Sequence, residues 1–187
     1  MGGANEAVPV LIRMDRPHLE ELPPRPIIPG RYVLETYSDD LFDRWLDLLE
    51  AAFPEHQFAR DAWRQKVVPS PRFMPNGAFY VREIGEDELC ATAYAWRESP
   101  EEDPGLARVE WVGVRPSHRG RKLGRLMMDL VLHFMAEQGF DKVTLDTEPY
   151  RLPAVSLYLS LGFTPAPRND EERLIWDEVL SKLVPPG

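Results

Sequence analysis

Along the chain, apolar side chains recur with two different periods, about 3.6 and 2, and stretches of one kind follow stretches of the other. The clearest is helical. Leu123, Leu126, Met127, Leu130, Val131, Phe134 and Met135 fall at i, i+3, i+4, i+7, i+8, i+11 and i+12, a single stripe with Gly139 placed to end it. An earlier stripe of Leu41, Trp45, Leu48, Leu49 and Ala52 follows Ser38, a suitable N-cap, and stops near Pro54. Shorter helices are predicted over Arg60 to Val67 and over Pro153 to Ser160, the latter with proline in its first turn and Gly162 behind it. Strands are predicted at Tyr32 to Tyr37, Arg108 to Val114 and Lys142 to Thr147. Ala78 to Ile84 and Leu89 to Arg97 read as an antiparallel pair around Gly85-Glu86-Asp87. Pro69 to Gly77 and Ser99 to Gly105 read as loops, and Phe163 to Pro165 with Arg173 to Val179 as a final pair closing the sheet. Strands with helices packed across them define an α/β or α+β sandwich.

Composition narrows this picture. The 187 residues carry 43% hydrophobic and 28% charged side chains, enough for one compact domain with a real core. Of 19 prolines, six lie in the first 30 residues, so residues 1–30 are expected to form an extended arm, able to cover a sheet edge or dock on a second copy in a homodimer. The domain is then expected over 31–180, with a tail at 181–187. No apolar run approaches a membrane span, and Ala7 to Ile12 is too short for a signal-peptide core. A single Cys90 leaves no internal disulfide, and His18, His56, His118 and His133 are scattered without metal-type spacing. These features point to a soluble cytoplasmic chain with no metal and no membrane partner. The net charge of −9 disfavours nucleic acid as a partner.

One segment breaks the acidic trend. Residues 115–125 hold Arg115, Arg119, Arg121, Lys122 and Arg125 and no acid, whereas the rest of the chain has 17 basic against 31 acidic residues. The segment joins a strand to the long helix, where unpaired N–H groups and the helix dipole favour an anion. Gly120 and Gly124 let the backbone approach it closely. A phosphate or pyrophosphate is the natural ligand, yet neither the Walker A nor the GxGxxG pattern is present. An isolated basic turn also lacks the interleaved aromatic platform of a single-strand binder.

Val112-Gly113-Val114-Arg115-Pro116, Arg119-Gly120-Arg121-Lys122-Leu123-Gly124-Arg125 and Ala154-x-x-Leu157-Tyr158-x-x-x-Gly162-Phe163 resemble the acetyl-CoA-binding core of the GCN5-related N-acetyltransferase family. The resemblance is close over about 107–165. It implies a mixed, mostly antiparallel central sheet flanked by helices, with acetyl-CoA as cosubstrate and an amine, small molecule or peptide, as acceptor. The cofactor would lie where the strand ending at Val114 splays from the strand ending near Thr147. Two positions depart from the family pattern. Lys122 stands where glycine is usual, and is expected to take a negative φ; Arg151 stands where asparagine often holds the pantetheine arm, and could reach a CoA phosphate or the substrate instead.

The same resemblance assigns roles. A protonated amine must lose a proton before it attacks the thioester, so a base is needed. Glu110 is the first candidate, Asp146 the second and Glu148 the third. Tyr158 would protonate the leaving thiolate. The backbone of Val112, Gly113 and Val114 would pair with the pantetheine and polarise the thioester carbonyl, with Gly113 permitting a bulge there. Arg119, Gly120, Arg121, Lys122, Leu123, Gly124 and Arg125 would hold the pyrophosphate. His118 is expected only to line the turn, and Cys90 to be a small buried residue. Trp45, Phe53, Phe58 and Trp63 belong mostly to the core, with one or two touching the acceptor, and His56 lies in the same loop. The alternative from another class is a catalytically silent acyl-CoA sensor or scaffold.

Overall fold

A computed structural model describes residues 10–183. These divide into two compact units, one of residues 17–143 and one combining residues 10–16 with 144–183. Among the described residues no helix is long and apolar enough to cross a membrane.

The larger unit is built on four antiparallel strands in the order β2 (Tyr32–Thr36), β3 (Phe73–Glu83), β4 (Leu89–Ser99) and β5 (Asp103–Val114). Helix α1 (Phe42–Ala52) packs on β4 and β5, and α2 (Arg60–Val67) lies beside it. Helix α3 (Leu123–Glu137) packs on β3, β4 and β5. Successive residues of a strand face opposite sides, and β3 shows which helix takes which face. Phe79 meets Phe134 of α3 at 5.7 Å between ring centroids, while Tyr80 joins the α1 cluster. With both faces covered, β4 is buried without interruption from Leu89 to Ala95, which accounts for its run of small apolar residues.

The smaller unit contains β1 (Ile12–Arg16), the end of β6 (Lys142–Thr147), α4 (Leu152–Ser160), β7 (Thr164–Pro165) and α5 (Asp170–Leu183). β1 pairs antiparallel with β7 through Met14–Pro165 and Asp15–Thr164. Its buried apolar side chains include Ile12, Met14, Val155, Phe163, Trp176 and Val179. Gly162 ends α4 with φ +83°, and buried Arg16 donates a hydrogen bond to the Leu161 carbonyl there.

Within the expected arm lies β1, with Ile12 and Met14 fully buried. The remainder of the arm's start, like 184–187 of the tail, falls outside the described residues. The segment read as a loop at 69–77 joins β3 from Phe73 onward, exposing Pro75 and Asn76 and burying Gly77. A Cβ on Gly77 would lie 2.4 Å from Phe134 Cε1, so only glycine lets α3 seat there. The acidic 99–105 loop shrinks to a turn, because Ser99 pairs with Asp103 and both strands continue. Finally, Arg173 to Val179 is not a strand but the middle of α5. Asn169 Oδ1 accepts the Glu172 N–H at 2.8 Å and Glu172 reaches back to the Arg168 N–H at 3.0 Å, a reciprocal cap that starts a helix.

Candidate active site

In the larger unit, the register of β4 and β5 slips by one residue between Thr92–Gly113 and Tyr94–Glu110. Trp111 and Val112 therefore face a single residue of β4, a bulge. Trp111 adopts φ +55°, the left-handed region usually left to glycine in such bulges. The irregularity expected near Val112–Val114 is present, but Gly113 is not the residue that bends. A Cβ on Gly113 would sit 3.1 Å from Phe53 Cε2 and 3.4 Å from both Ala52 Cβ and Thr92 Cγ2, so its smallness lets the end of α1 press onto β5. Glu110, the first residue before the bulge, keeps a third of its side chain exposed, with Arg108 Nε 3.7 Å from its Oε1. Arg108 is itself gripped by Glu98, through an Nη2–Oε1 bond of 2.7 Å.

Beyond Val114 the chain makes a short 3-10 turn at Pro116–His118, then passes Gly120 at φ +77° and Lys122 at φ +60°. The negative φ expected for Lys122 is thus wrong: lysine here occupies the conformation a glycine would adopt, at a cost of about 1–2 kcal/mol. The strain delivers the chain into α3 at once. Leu126 N–H makes the first intrahelical bond, to the Lys122 carbonyl at 3.1 Å, so the N–H groups of the preceding first turn lack intrahelical acceptors. No acid occupies that turn. The basic side chains are arranged by internal contacts. Arg119 Nη2 donates to the Ala52 carbonyl at the end of α1, 3.3 Å. Arg121 Nη1 and His118 Nε2 lie 3.4 and 3.3 Å from Glu83 Oε2, and Arg31 also bonds Glu83. The hydrogen bond from Arg31 chiefly holds the Glu83 carboxyl below its ordinary pKa. Arg125 pairs with Asp129 one turn on, at 2.9 Å.

The smaller unit holds the other expected residues. Asp146 Oδ1 lies 3.6 Å from both Arg13 Nε and Arg168 Nη1. Glu148 is buried and accepts from Arg151 Nε at 2.7 Å, so the Arg151 guanidinium is engaged locally and also lies over the Tyr150 ring. Desolvation lowers the Arg151 pKa. Tyr158 is buried on α4 with its ring 6.1 Å from Phe163. Burial pushes its phenol pKa far up, with Arg151 working against the shift and Glu148 adding to it, so the group stays protonated at working pH.

Sequence reasoning missed Trp111, whose ring is the hub of an aromatic cluster. Its centroid lies 4.9 Å from Trp63, 5.8 Å from Phe58, 6.3 Å from Phe53 and 6.4 Å from Trp45. His56 stands 6.1 Å from both Phe53 and Phe58. Only the aromatic composition of 42–63 hinted at it. Trp45 and Phe58 are buried as expected, and Cys90 is a buried free thiol whose pKa desolvation raises.

A helix entered through a basic, left-handed turn, directly behind a bulged strand of an antiparallel sheet, defines an α/β domain whose helix start favours an anion. Comparison with known proteins then fixes the family. The Acetyltransferase (GNAT) family model matches residues 35–163, and the chain belongs to that family. It is 32% identical over 155 residues to a mycothiol acetyltransferase of Nocardia farcinica, covering 80% of this chain and 50% of the relative. A second mycothiol acetyltransferase, from Tsukamurella paurometabola, is 30% identical over 171 residues, 87% of this chain and 58% of its own length. The chain thus spans about half the length of the curated relatives it matches. The fold is also that of a GCN5-related N-acetyltransferase from Sphaerobacter thermophilus, with TM-score 0.69 at 24% identity, over 86% of this chain and 50% of that one.

Proposed function

We propose that the chain is an acetyl-CoA-dependent N-acetyltransferase that acetylates a primary amine by direct attack on the thioester. The observation that carries the reading is the 119–125 turn, where Gly120 and Lys122 are both left-handed and open the first turn of α3 without any acid. Such a turn offers backbone N–H groups and helix dipole to a pyrophosphate. Arg119, Arg121, Lys122 and Arg125 add charge around the N–H groups of Leu123 and Gly124. The backbone of Val112 to Val114, at and just past the bulge, is the proposed partner of pantetheine and would polarise the thioester carbonyl.

Glu110 is the proposed base, acting directly or through a water. Asp146, with two guanidinium groups 3.6 Å from one oxygen, and Glu148, held by Arg151, are the second and third candidates. Once the amine attacks and the C–S bond breaks, a proton from Tyr158 would neutralise the thiolate. The proposed chemistry needs no metal. We further infer a cytoplasmic setting, no nucleic-acid or membrane partner, and a homodimer formed through the arm, which sedimentation would test. The relatives' name, mycothiol acetyltransferase, supports including mycothiol-related amines in any acceptor panel.

Calorimetry with acetyl-CoA, 3′-dephospho-CoA and ATP on wild type and Gly124→Glu tests the cofactor site, and thiol release with an amine panel tests the transfer. Saturable acetyl-CoA binding, weakened at least about tenfold by a carboxylate at the helix start, is expected. Absence of binding at millimolar acetyl-CoA would overturn the reading. Binding without thiol release on any amine would instead favour the sensor.

A further inference from the structure

Trp111 is an expensive residue to hold in the left-handed region, and nothing in the bulge itself requires an indole. What the conformation achieves is to set its ring among Phe53, Phe58 and Trp63, with His56 closing the set from the α1–α2 loop. Phe53, Trp63, Trp111 and His56 are only partly buried, so the cluster is not sealed core. Gly113 permits the tight seating of Phe53 that brings this group over β5, and Glu110 is the chain neighbour of Trp111. The rings already draw a cation of the chain itself, since Lys66 Nζ stands 5.5 Å from the centre of the Trp63 ring.

We propose that Phe53, Trp63 and Trp111 form an aromatic wall that receives the acceptor as its ammonium ion, so that the substrate class is cationic primary amines with an apolar flank. This rests on the acetyltransferase reading. A primary amine is mostly protonated near pH 7 and is attracted to ring faces in that form. Glu110 takes one proton from the ammonium, the freed lone pair forms the amide bond as the C–S bond breaks, and the second nitrogen proton leaves as the thiolate gains one by way of Tyr158, restoring the phenol. The amide product carries no charge and loses the attraction, so the wall binds substrate and lets product go.

The test is titration of the full chain with butylammonium, butan-1-ol and N-butylacetamide, followed by proton NMR of the ligand. Binding against ring faces shifts the CH₂ protons next to nitrogen upfield, which pairing with a carboxylate alone would not do. Butylammonium is expected to bind about fivefold more tightly than the alcohol or the amide, the size of a modest cation–π contact. The preference should collapse in Trp63→Leu and return in Trp63→Phe. Lys66→Gln, a change at an exposed residue, removes the resident ammonium and is expected to tighten butylammonium about twofold or more. Equal affinity for butylammonium and butan-1-ol, or no upfield shift in wild type and Lys66→Gln alike, would overturn the wall. A wall that binds ammonium while no amine is acetylated would overturn the acetyltransferase reading and with it the acceptor role, whereas acetylation without any ammonium preference would overturn the wall alone.

Discussion

Lys122→Gly isolates the strain at the entrance to α3. Lysine at φ +60° and ψ 17° bears the cost of a Cβ in the left-handed region, about 1–2 kcal/mol, which glycine does not. Against that, glycine gains unfolded-chain entropy worth about 0.5–1 kcal/mol. The residue lies before the first helical position, so interior helix propensity does not enter. The balance is a net stabilisation of about 0–1.5 kcal/mol, or roughly 0–6 °C in Tm for a chain of this size. Lys122→Val should move the opposite way, because a β-branched residue fits the left-handed region worst, and should lose about 1–2 kcal/mol relative to wild type. Urea and thermal unfolding of the three proteins read both directions. Acetyl-CoA calorimetry at low and high salt adds a separate reading. Removing one exposed charge should weaken binding by less than about 1 kcal/mol, and the difference should shrink as salt rises. A Lys122→Gly protein less stable than wild type by more than about 1 kcal/mol, or a valine variant as stable as the glycine one, would refute the left-handed assignment.

Three further outcomes follow from the packing and the buried groups. Gly77→Ala should cost about 1–3 kcal/mol in urea unfolding, since the new Cβ meets Phe134 at 2.4 Å and Ala95 Cβ at 2.7 Å, both buried. Glu172→Gln should lose about 2 kcal/mol at pH 7, because burial that would raise the carboxyl pKa is outweighed by the Arg168 side chain and by the N–H groups of Arg168 and Arg13. The lowered folded pKa means this stability is fully present above the unfolded value of about 4.3 and is lost as pH falls through the folded one, so the gap to wild type should narrow in acid unfolding curves. Tyr158→Phe should lower kcat about 3- to 30-fold with little change in KM for acetyl-CoA, measured by thiol release; an unchanged kcat would remove the phenol from the reaction.

What could be read from sequence depended on how each element is solvated. Helices α1 and α3 present a stripe to the sheet and polar residues outward, and the periodicity gave both away. Helix α5 buries only Glu172, Trp176 and Val179 among its fourteen residues, while Leu174 is 70% exposed. An exposed leucine beside Ile175 and Trp176 made 173–179 look like a short apolar strand, an ambiguity that periodicity cannot resolve in so brief a run. The cap was the better signal, with Asn169 three residues before Glu172, but it lay outside the run being weighed. The start of β3 was hidden for the converse reason. Pro75 and Gly77 signal a loop locally, yet the register slips between Phe73 and Ala78 and the strand continues.

The site divides along the same line. The basic turn and the long helix behind it were legible because glycine placement and charge report backbone geometry and ligand sign together. The bulge was legible in its general place but not in its residue. Among the described residues, two non-glycines have positive φ, Trp111 and Lys122, and they bracket the segment that links the bulge to the first turn of α3. Local propensity would put glycine at both. A chain that departs from its local preferences at both ends of one short segment is held there by the packing around it, as Phe53 against Gly113 and Arg119 on the Ala52 carbonyl illustrate. Strain placed in this way is expected where backbone groups must face a ligand rather than a neighbouring strand. The two failures of propensity therefore support the cofactor reading as much as the basic charge does, and they do so from independent observations.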